Sequence, residues 1–215
     1  RAPSTVQGRL SVLRQFFRFL QAEGMRADDP SQSIASPHRV RPLPKILTGA
    51  EVEQLLSAAK TFKGAKGIRL VAMMELLYDT VLRVSELVTL PYSAVEPDRA
   101  FIIVKRKYTG GCERMVPLGE TAMKALADYE TVRDCFVRRP ADAVWLFPSG
   151  RGHLTQHRFS QLVKALAKRA RINPARVSPE ILRQGFISHR LAKGTDPLFL
   201  KQILGVENLA TVLKY

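Results

Sequence analysis

Apolar residues recur at steps of three and four over most of this 215-residue chain, and this spacing is the strongest constraint on its fold. The first such segment shows the pattern at Val6, Leu10, Leu13, Phe17 and Leu20. These positions share one face of a helix that Ser4 or Thr5 can cap. Similar patterns predict a helix after Thr48 and helices near 68–78, 120–137, 155–171, 179–193, 197–204 and 208–215.

Two short segments depart from the helical pattern. Residues 101–105 and 113–118 are rich in apolar and β-branched side chains, and they flank the turn pair Gly110-Gly111. They predict an antiparallel hairpin, and we expect residues 144–147 to add a strand. The predicted fold class is therefore mostly α with a small antiparallel β-sheet, an α+β arrangement.

A basic, proline-rich stretch divides the chain. Residues 36–47 hold three prolines among basic side chains, a composition typical of a semi-extended linker. Thr48 and Glu51 then form a capping-box pattern, which marks a new helix and a new domain over 48–215. The helix within 1–35 has an apolar face and few residues before it, so we expect the chain to start inside a domain.

The charge balance indicates a polyanionic partner. Lys and Arg number 34 against 19 Asp and Glu, which gives a formal net charge of +15. Such an excess is typical of proteins that bind nucleic acid or an acidic membrane surface. No apolar run approaches the roughly 20 residues of a membrane span, no signal-peptide pattern opens the chain, and Cys112 and Cys135 lack metal-ligand spacing. We expect a cytoplasmic protein that faces nucleic acid and has no membrane partner; a basic protein without such a partner is the alternative.

Several segments contain residues of the types that bind substrate or take part in catalysis in other proteins. They are the stretch 82–87 with Arg83, the strand end 105–107 with Arg114 across the turn, the stretch 178–183, and residues 204–205 followed by Tyr215. Each segment alone has an ordinary explanation. An arginine among apolar residues is usually an ion-pair partner, lysines beside a hairpin turn are usually solvated, and Ser-Pro is a common start of a helix.

Together, these segments resemble the catalytic domain of the tyrosine recombinases, the phage integrase and Xer-like enzymes. The resemblance rests on four motifs in order: TVLRVSEL at 80–87 for the first arginine box, ERMVPL at 113–118 for the end of the lysine hairpin, SPEILR at 178–183 continuing to Gly194 for the second box, and LGV at 204–206 followed nine positions later by Tyr215. It covers the whole chain. Residues 1–35 resemble the C-terminal part of the family's helical core-binding domain.

This resemblance implies site-specific DNA recombination, in which a strand is cut and rejoined through a 3′-phosphotyrosine intermediate. It implies that Arg83 and Arg183 hold the nonbridging oxygens of the reacting phosphate, a task suited to planar guanidinium groups. Tyr215 would be the nucleophile, and Lys107 would protonate the departing 5′ oxygen. Lys105 is the alternative acid, because strand alternation puts both lysines on one face. Neither a cofactor nor a metal is expected.

The implied partner is duplex DNA, held through its phosphates. We expect phosphate contacts from basic residues that include Arg39, Arg41, Lys45, Arg158 and Lys164. Self-association on DNA is also implied, because the family forms a tetrameric synapse. In the family a further segment follows the tyrosine, so the domain over 48–215 is interpreted as truncated at the nucleophile.

The departures from the family pattern concern the same site. Glu180 stands where the family has a histidine that relays protons, and Val206 where it has a histidine or tryptophan that donates a hydrogen bond to the phosphate. Valine cannot donate, and a glutamate puts negative charge beside a dianionic transition state. Glu180 also lies three positions before Arg183, so the two can pair on one helix face. Val81 replaces a glycine, Gln184 replaces a further histidine, and the hairpin is longer than usual.

Three functions follow as hypotheses. The chain is a recombinase with impaired strand cleavage, a recombinase-derived protein that binds DNA without cutting, or a helical transcription factor with a helix-turn-helix. Arg83 and Tyr215 disfavour the transcription factor, which would not need them, while Glu180 and Val206 separate the first two. The predicted catalytic positions are Arg83, Lys107, Glu180, Arg183, Val206 and Tyr215.

Overall fold

A computed structural model of the chain describes residues 3–37, 47–96, 100–105, 113–206 and 208–212. It divides into two compact units, Arg1–Pro44 and Lys45–Tyr215. Among the described residues, no helix combines the length and apolar character needed to cross a membrane.

The smaller unit is built on one helix, α1 (Pro3–Ala22). Because this helix already begins at Pro3, the predicted cap at Ser4 or Thr5 is wrong. Proline suits the first helical position, since it lacks an N–H that would go unpaired there and its φ angle is already helical. Of the predicted apolar face, Leu10 alone is fully buried, at 5% exposure.

The larger unit follows the predicted alternation of helices around one hairpin. Its described α-helices and strands are α2 (Gly49–Ala59), α3 (Gly64–Thr80), α4 (Val84–Val88), β1 (Val95–Glu96), β2 (Phe101–Lys105), β3 (Glu113–Pro117), α5 (Glu120–Arg133), α6 (Gln156–Arg169), α7 (Pro179–Ala192), α8 (Pro197–Leu204) and α9 (Leu209–Val212). The fold is mostly helical with a small antiparallel sheet, so the predicted fold class is confirmed.

Polar caps set where individual helices begin. Thr48 Oγ1 accepts a hydrogen bond from Glu51 N at 3.2 Å, and the Glu51 carboxylate accepts one from Thr48 N at 2.9 Å, which confirms the predicted capping box. Ser178 Oγ accepts from Ile181 N at 3.2 Å, and Pro179 occupies the first position of α7. The start of α7, which carries the second arginine box, is therefore fixed by local sequence.

The three strands form one antiparallel sheet in the order β1-β2-β3. The register pairs Ile103 with Met115 and Lys105 with Glu113. The predicted hairpin is confirmed, with its second strand ending one residue earlier than expected. Alternation along β2 buries Ile102 and leaves Lys105 exposed.

The predicted strand at 144–147 is wrong. Within it, Trp145 makes a single β-bridge, to Pro91. Arg133 at the end of α5 donates from Nη2 to the Ala143 carbonyl, and to the Trp145 carbonyl at 2.7 Å. A side chain therefore takes carbonyls that a neighbouring strand would need, and the segment remains an irregular connection.

The core is centred on α3, which packs along α5. Its five large apolar side chains that are 0–2% exposed are Leu70, Met73, Met74, Leu76 and Leu77. Each such burial contributes roughly 1.5–3 kcal/mol relative to an exposed side chain. The helix is thereby held along its length, and its C-terminal end, where the first arginine box follows, has a defined place in the domain.

Candidate active site

The first arginine box starts where α3 ends. Val81 adopts the left-handed conformation, with φ 47° and ψ 32°, and its N–H donates to the Leu77 carbonyl at 3.0 Å. This closes α3 and turns the chain so that Arg83 directly precedes α4. The Arg83 N–H donates to Glu86 Oε2 at 2.8 Å. Leu82 is fully buried, but the Arg83 side chain is exposed, although the sequence made the whole stretch look buried.

The second arginine box meets the first at this turn. Arg183 lies on α7, its side chain is 7% exposed, and its Nε donates to the Val81 carbonyl at 2.8 Å. A nearby arginine on the same helix, Arg190, donates to the carbonyl of Asp79 and lies 3.7 Å from its carboxylate. Two arginines of α7 thus bind carbonyls at the end of α3, which brings the Arg183 guanidinium to the turn that carries Arg83.

A buried ion pair connects the first box to the hairpin. Glu86 Oε1 and Oε2 accept from Arg114 Nη1 and Nη2 at 3.0 and 2.9 Å, and both side chains are 12–13% exposed. Burial alone would raise the pKa of Glu86, but the hydrogen bonds and charge of Arg114 outweigh it and hold the pKa below its usual value. One carboxylate therefore binds both the start of α4 and strand β3. Arg114, which the sequence placed among the candidate functional residues, has a structural role as the ion-pair partner of Glu86.

Glu180 lies in the first turn of α7, with 56% of its side chain exposed. Its Oε1 is 3.5 Å from Arg183 Nη1 and 3.5 Å from Gln184 Nε2, so the predicted pairing with Arg183 is present. Both distances are at the upper limit for a hydrogen bond. The carboxylate therefore lies beside the guanidinium without binding it tightly.

Val206 follows α8 at a well-defined helix end. Gly205 takes the left-handed conformation, with φ 62°, and the Val206 N–H donates to the Lys201 carbonyl at 3.3 Å. The valine side chain is half-buried and packs against the core. The backbone at this position is held by the helix-ending motif, and the side chain supplies no hydrogen-bond donor.

Several predicted site residues lie outside the described part of the chain. They are Lys107, Tyr215, Arg39, Arg41 and Lys45. Lys105, the alternative acid, is described: its Nζ is 3.0 Å from Glu113 Oε1, and its side chain is 73% exposed. It sits on the last residue pair of the β2–β3 ladder, at the base of the hairpin.

The described histidines are engaged elsewhere in the fold. His189 Nδ1 is 2.9 Å from the Tyr78 hydroxyl, and burial with the nearby Lys193 charge lowers its pKa. His153 packs edge-on against Trp145. His157 shares a hydrogen bond with Gln161 on the surface of α6. Each thus has a local structural role. Within the described residues, no group of three or more His, Cys, Asp or Glu side chains could hold a metal ion.

Helix α6 presents basic residues on its outer surface. Arg158 and Lys164, both predicted to contact phosphate, are exposed. Arg158 N donates to Thr155 Oγ1, the residue that caps α6, at 3.1 Å, and Arg158 Nη1 donates to Gln161 at 2.9 Å. These side chains are therefore available to an anionic partner on a helix whose start is fixed.

Comparison with known proteins places the site in a family. The model of a protein family described as "Phage integrase family" matches residues 45–215. The whole chain is also 43% identical over 217 aligned residues to the tyrosine recombinase XerD of Caulobacter vibrioides, and it covers 70% of that protein. The chain belongs to the phage integrase family. The family predicted from the four motifs is thereby confirmed, and the match supports the predicted function, site-specific DNA recombination.

Solved structures of family members agree with the fold. The crystal structure of the XerA recombinase is 28% identical, with a TM-score of 0.70, and the match covers 94% of this chain and 68% of XerA. The integrase of transposon Tn1549, solved in complex with circular intermediate DNA, has a TM-score of 0.80 at 22% identity. The match covers 100% of this chain and 75% of the integrase chain. The second similarity concerns the fold alone.

Two contacts that hold the site were not predicted from the sequence. The first is the bond from Arg183 to the Val81 carbonyl, and the second is the ion pair of Glu86 with Arg114. One signal for the first was present, since Val81 stands where the family has a glycine, and a glycine there suggests a left-handed turn. For the second, Glu86 and Arg114 were each present in a motif, but nothing in the sequence indicated that they pair.

Proposed function

We propose that this chain binds duplex DNA and cuts and rejoins it at a specific site through a 3′-phosphotyrosine on Tyr215. The phenol oxygen of Tyr215 gives its proton to solvent and bonds to phosphorus, while the bond from phosphorus to the 5′ oxygen breaks. Lys107 gives a proton to that oxygen, with Lys105 as the alternative. Arg83 and Arg183 hold the nonbridging oxygens as charge develops on them. The observation that carries the proposal is the bond that brings the second arginine box to the turn of the first.

We propose further that cleavage is slow. A positioned acid–base group is typically worth about 10²–10⁴ in rate, and glutamate replaces it at position 180. Loss of one donor to the developing charge costs roughly 10²–10³, and Val206 has no such donor. The two losses need not multiply, because residues that act on one phosphate are usually coupled.

A second candidate is a recombinase-derived protein that binds DNA without cutting it. The observation that favours it is Glu180 Oε1 at 3.5 Å from Arg183 Nη1. A carboxylate in that place competes with the phosphate for the guanidinium. The two candidates share DNA binding and differ only in whether an adduct forms.

DNA binding itself is supported by the net charge of +15 and by the exposed Arg158 and Lys164 of α6. The Tn1549 integrase of the same fold was solved with DNA. We propose that Arg1–Pro44 supplies a further contact, with residues 1–35 as part of a helical core-binding domain and 36–47 as a basic linker. We propose tetrameric self-association on DNA from the family resemblance. Each phosphate neutralised should add about 0.9 to the slope of log affinity against log salt concentration.

The test is a suicide substrate, a duplex with a nick placed so that cleavage releases a short fragment and rejoining is prevented. The unmodified chain should form a slow, denaturant-resistant protein–DNA adduct, and Tyr215→Phe should form none. Because the target sequence is unknown, the duplex is first enriched from a random pool by binding. An adduct that persists in Tyr215→Phe would refute the assigned nucleophile. Salt-sensitive binding with no adduct after long incubation would establish the non-cleaving candidate.

A further inference from the structure

The residue that ends α3 is an unusual choice for its conformation. Val81 has φ 47° and ψ 32°, a region in which a β-branched side chain is strained. Its side chain is 1% exposed, so it is packed in the core. The N–H of Val81 is used in closing the helix on Leu77. The Val81 carbonyl, in contrast, accepts a hydrogen bond from a side chain of α7.

This carbonyl has one described side-chain partner, Arg183. The Nε of Arg183 donates to it at 2.8 Å, across 102 positions of sequence. A guanidinium group has five N–H donors in a planar fork, so fixing Nε fixes the direction of both Nη groups. Among the described residues, Nη1 is 3.5 Å from Glu180 and Nη2 has no acceptor. The anchored group therefore keeps donors for an anion.

The chemistry of the anchor matters as much as its geometry. A carbonyl is neutral, so it orients the guanidinium without cancelling the positive charge that attracts phosphate. A carboxylate such as Glu180 would orient it too, but at the expense of that charge. The Val81 contact is also the shorter of the two, at 2.8 Å against 3.5 Å. The orientation of Arg183 thus depends more on Val81 than on Glu180.

We propose that Val81 is a positioning residue for the reaction: its main-chain carbonyl, aimed by the left-handed turn, holds Arg183 in register with the reacting phosphate. This inference rests on the proposed function, in which Arg183 binds that phosphate. It assigns a role to a backbone atom, so the identity of the side chain at 81 matters only through the conformation that it permits.

The test changes the carbonyl and no side chain. Replacing Leu82 by its α-hydroxy analogue, leucic acid, turns the peptide bond after Val81 into an ester, whose carbonyl is a weaker acceptor. The Nε–Hε resonances of Arg183 and Arg83 are followed by NMR during titration with inorganic phosphate at constant ionic strength. The ester should speed hydrogen exchange at Arg183 Nε and weaken the phosphate affinity at Arg183 by about three- to tenfold.

A matched control uses a second carbonyl that accepts one side-chain hydrogen bond. The Leu146 carbonyl accepts from the Tyr129 hydroxyl at 2.9 Å, and an ester at Phe147 weakens it in the same way. That protein should unfold at a lower temperature but keep the phosphate affinity of the unmodified chain. If the ester at Leu82 prevents folding, the hydrogen bond is measured in the unmodified chain, as the NMR scalar coupling across it between Arg183 Nε and the Val81 carbonyl carbon. The coupling should be present and should persist when phosphate binds.

The outcomes separate the two proposals. An unchanged exchange rate and affinity in the Leu82 ester, or an equal loss in the Phe147 ester, would overturn the role of Val81. So would the absence of a coupling between Arg183 Nε and the Val81 carbonyl carbon in the unmodified chain. If phosphate fails to shift the Arg183 and Arg83 resonances in the unmodified chain, the phosphate-binding part of the proposed function fails instead.

Discussion

Two parts of the candidate site can be compared: the arginines Arg83 and Arg183, and positions 180 and 206, where the family has other side chains. The two parts differ in how much of their proposed role the chain retains. Arg183 is buried and bound to a backbone carbonyl, and Arg83 is fixed through its N–H at the start of α4. Glu180 is more than half exposed, and its contact with Arg183 Nη1 is long, at 3.5 Å. The side chain of Val206 has no polar group. The half of the site proposed to hold the phosphate, the arginine half, is thus present and well supported, whereas the half proposed to supply a proton relay and a hydrogen-bond donor is chemically altered.

This difference teaches that the two tasks are separable in the fold. Holding a phosphate needs charge in a fixed place, and packing at the end of α3 supplies that place. Moving a proton needs a titratable group of suitable pKa at the right atom, which a single substitution can remove without disturbing the backbone. Val206 shows the same for a lost hydrogen-bond donor, since the turn after Gly205 is formed although the side chain is apolar.

The largest expected effect comes from restoring the altered half. Glu180→His with Val206→His should raise the rate of adduct formation on the suicide substrate by about 10²–10⁴, because it returns an acid–base group and a donor to the phosphate. Glu180→His alone should recover part of this. The phosphate affinity at Arg183 should change much less than the rate.

Two controls sharpen that result. Tyr215→Phe in the restored protein should remove the adduct again, and Glu180→Gln should test whether the charge at 180 matters apart from proton transfer. Rapid cleavage by the unmodified chain would contradict the contrast drawn between the two halves, and would mean that Glu180 itself accepts the proton or that a neighbouring side chain replaces the histidines.

The next largest effect concerns the ion pair of Glu86 with Arg114, which supports the arginine half of the site. Glu86→Gln leaves Arg114 buried without its counter-charge, so the free energy of unfolding should fall by about 3 kcal/mol or more. Glu113→Gln, in the exposed pair with Lys105, is the matched control and should cost far less. Urea unfolding at neutral pH gives both values. Equal losses in the two variants would show that burial of the Glu86 pair is unimportant.

The same pair predicts a pH dependence. Since the pKa of Glu86 is lowered in the folded protein, its contribution to stability is complete above the unfolded-state pKa of about 4.3. It is lost as the pH falls below that value through the folded-state pKa. The difference in unfolding free energy between the unmodified chain and Glu86→Gln should therefore shrink below about pH 4. A difference that grows on acidification would contradict the assigned ion pair.

A smaller effect is expected at Val81, where burial and backbone strain oppose each other. Val81→Ala loses buried surface and keeps the strain, so it should lower the unfolding free energy by about 2 kcal/mol. Val81→Gly loses more surface but relieves strain of roughly 1–2 kcal/mol, so it should cost less than the alanine variant. This order reverses the usual one for a buried valine. Denaturant unfolding of both variants decides it, and a larger loss in Val81→Gly would show that the turn is not strained.

The smallest effect on stability is expected at Lys105. Its ion pair with Glu113 is largely exposed, so Lys105→Met should change the unfolding free energy by less than about 1 kcal/mol. The same variant tests the choice of acid. Lys107→Met should slow adduct formation and Lys105→Met should not, and a substrate with sulfur in place of the departing 5′ oxygen should rescue the former, because a thiolate leaves without protonation. Rescue of Lys105→Met alone would reverse the assignment.

The sequence by itself determined the parts of this protein that depend on near neighbours. Helical spacing, the Thr48 and Ser178 caps and the strand pattern of 101–105 and 113–118 each depend on a few residues, so the helices and the paired strands were predictable. The order of the four motifs identified the family and named Arg83 and Arg183. Two local predictions were wrong. The cap of α1 was misplaced because the helix begins at Pro3, and the strand at 144–147 did not form where the Arg133 side chain binds backbone carbonyls.

Only the tertiary structure decided how distant segments meet. Arg183 reaches the Val81 carbonyl across 102 positions, and Arg114 reaches Glu86 across 28. Such contacts depend on how α7 and β3 pack against the end of α3, and no periodicity or cap in the sequence encodes that packing. The same packing decided that Arg83 is exposed within an apolar stretch while Arg183 is buried, which a residue pattern alone could not distinguish.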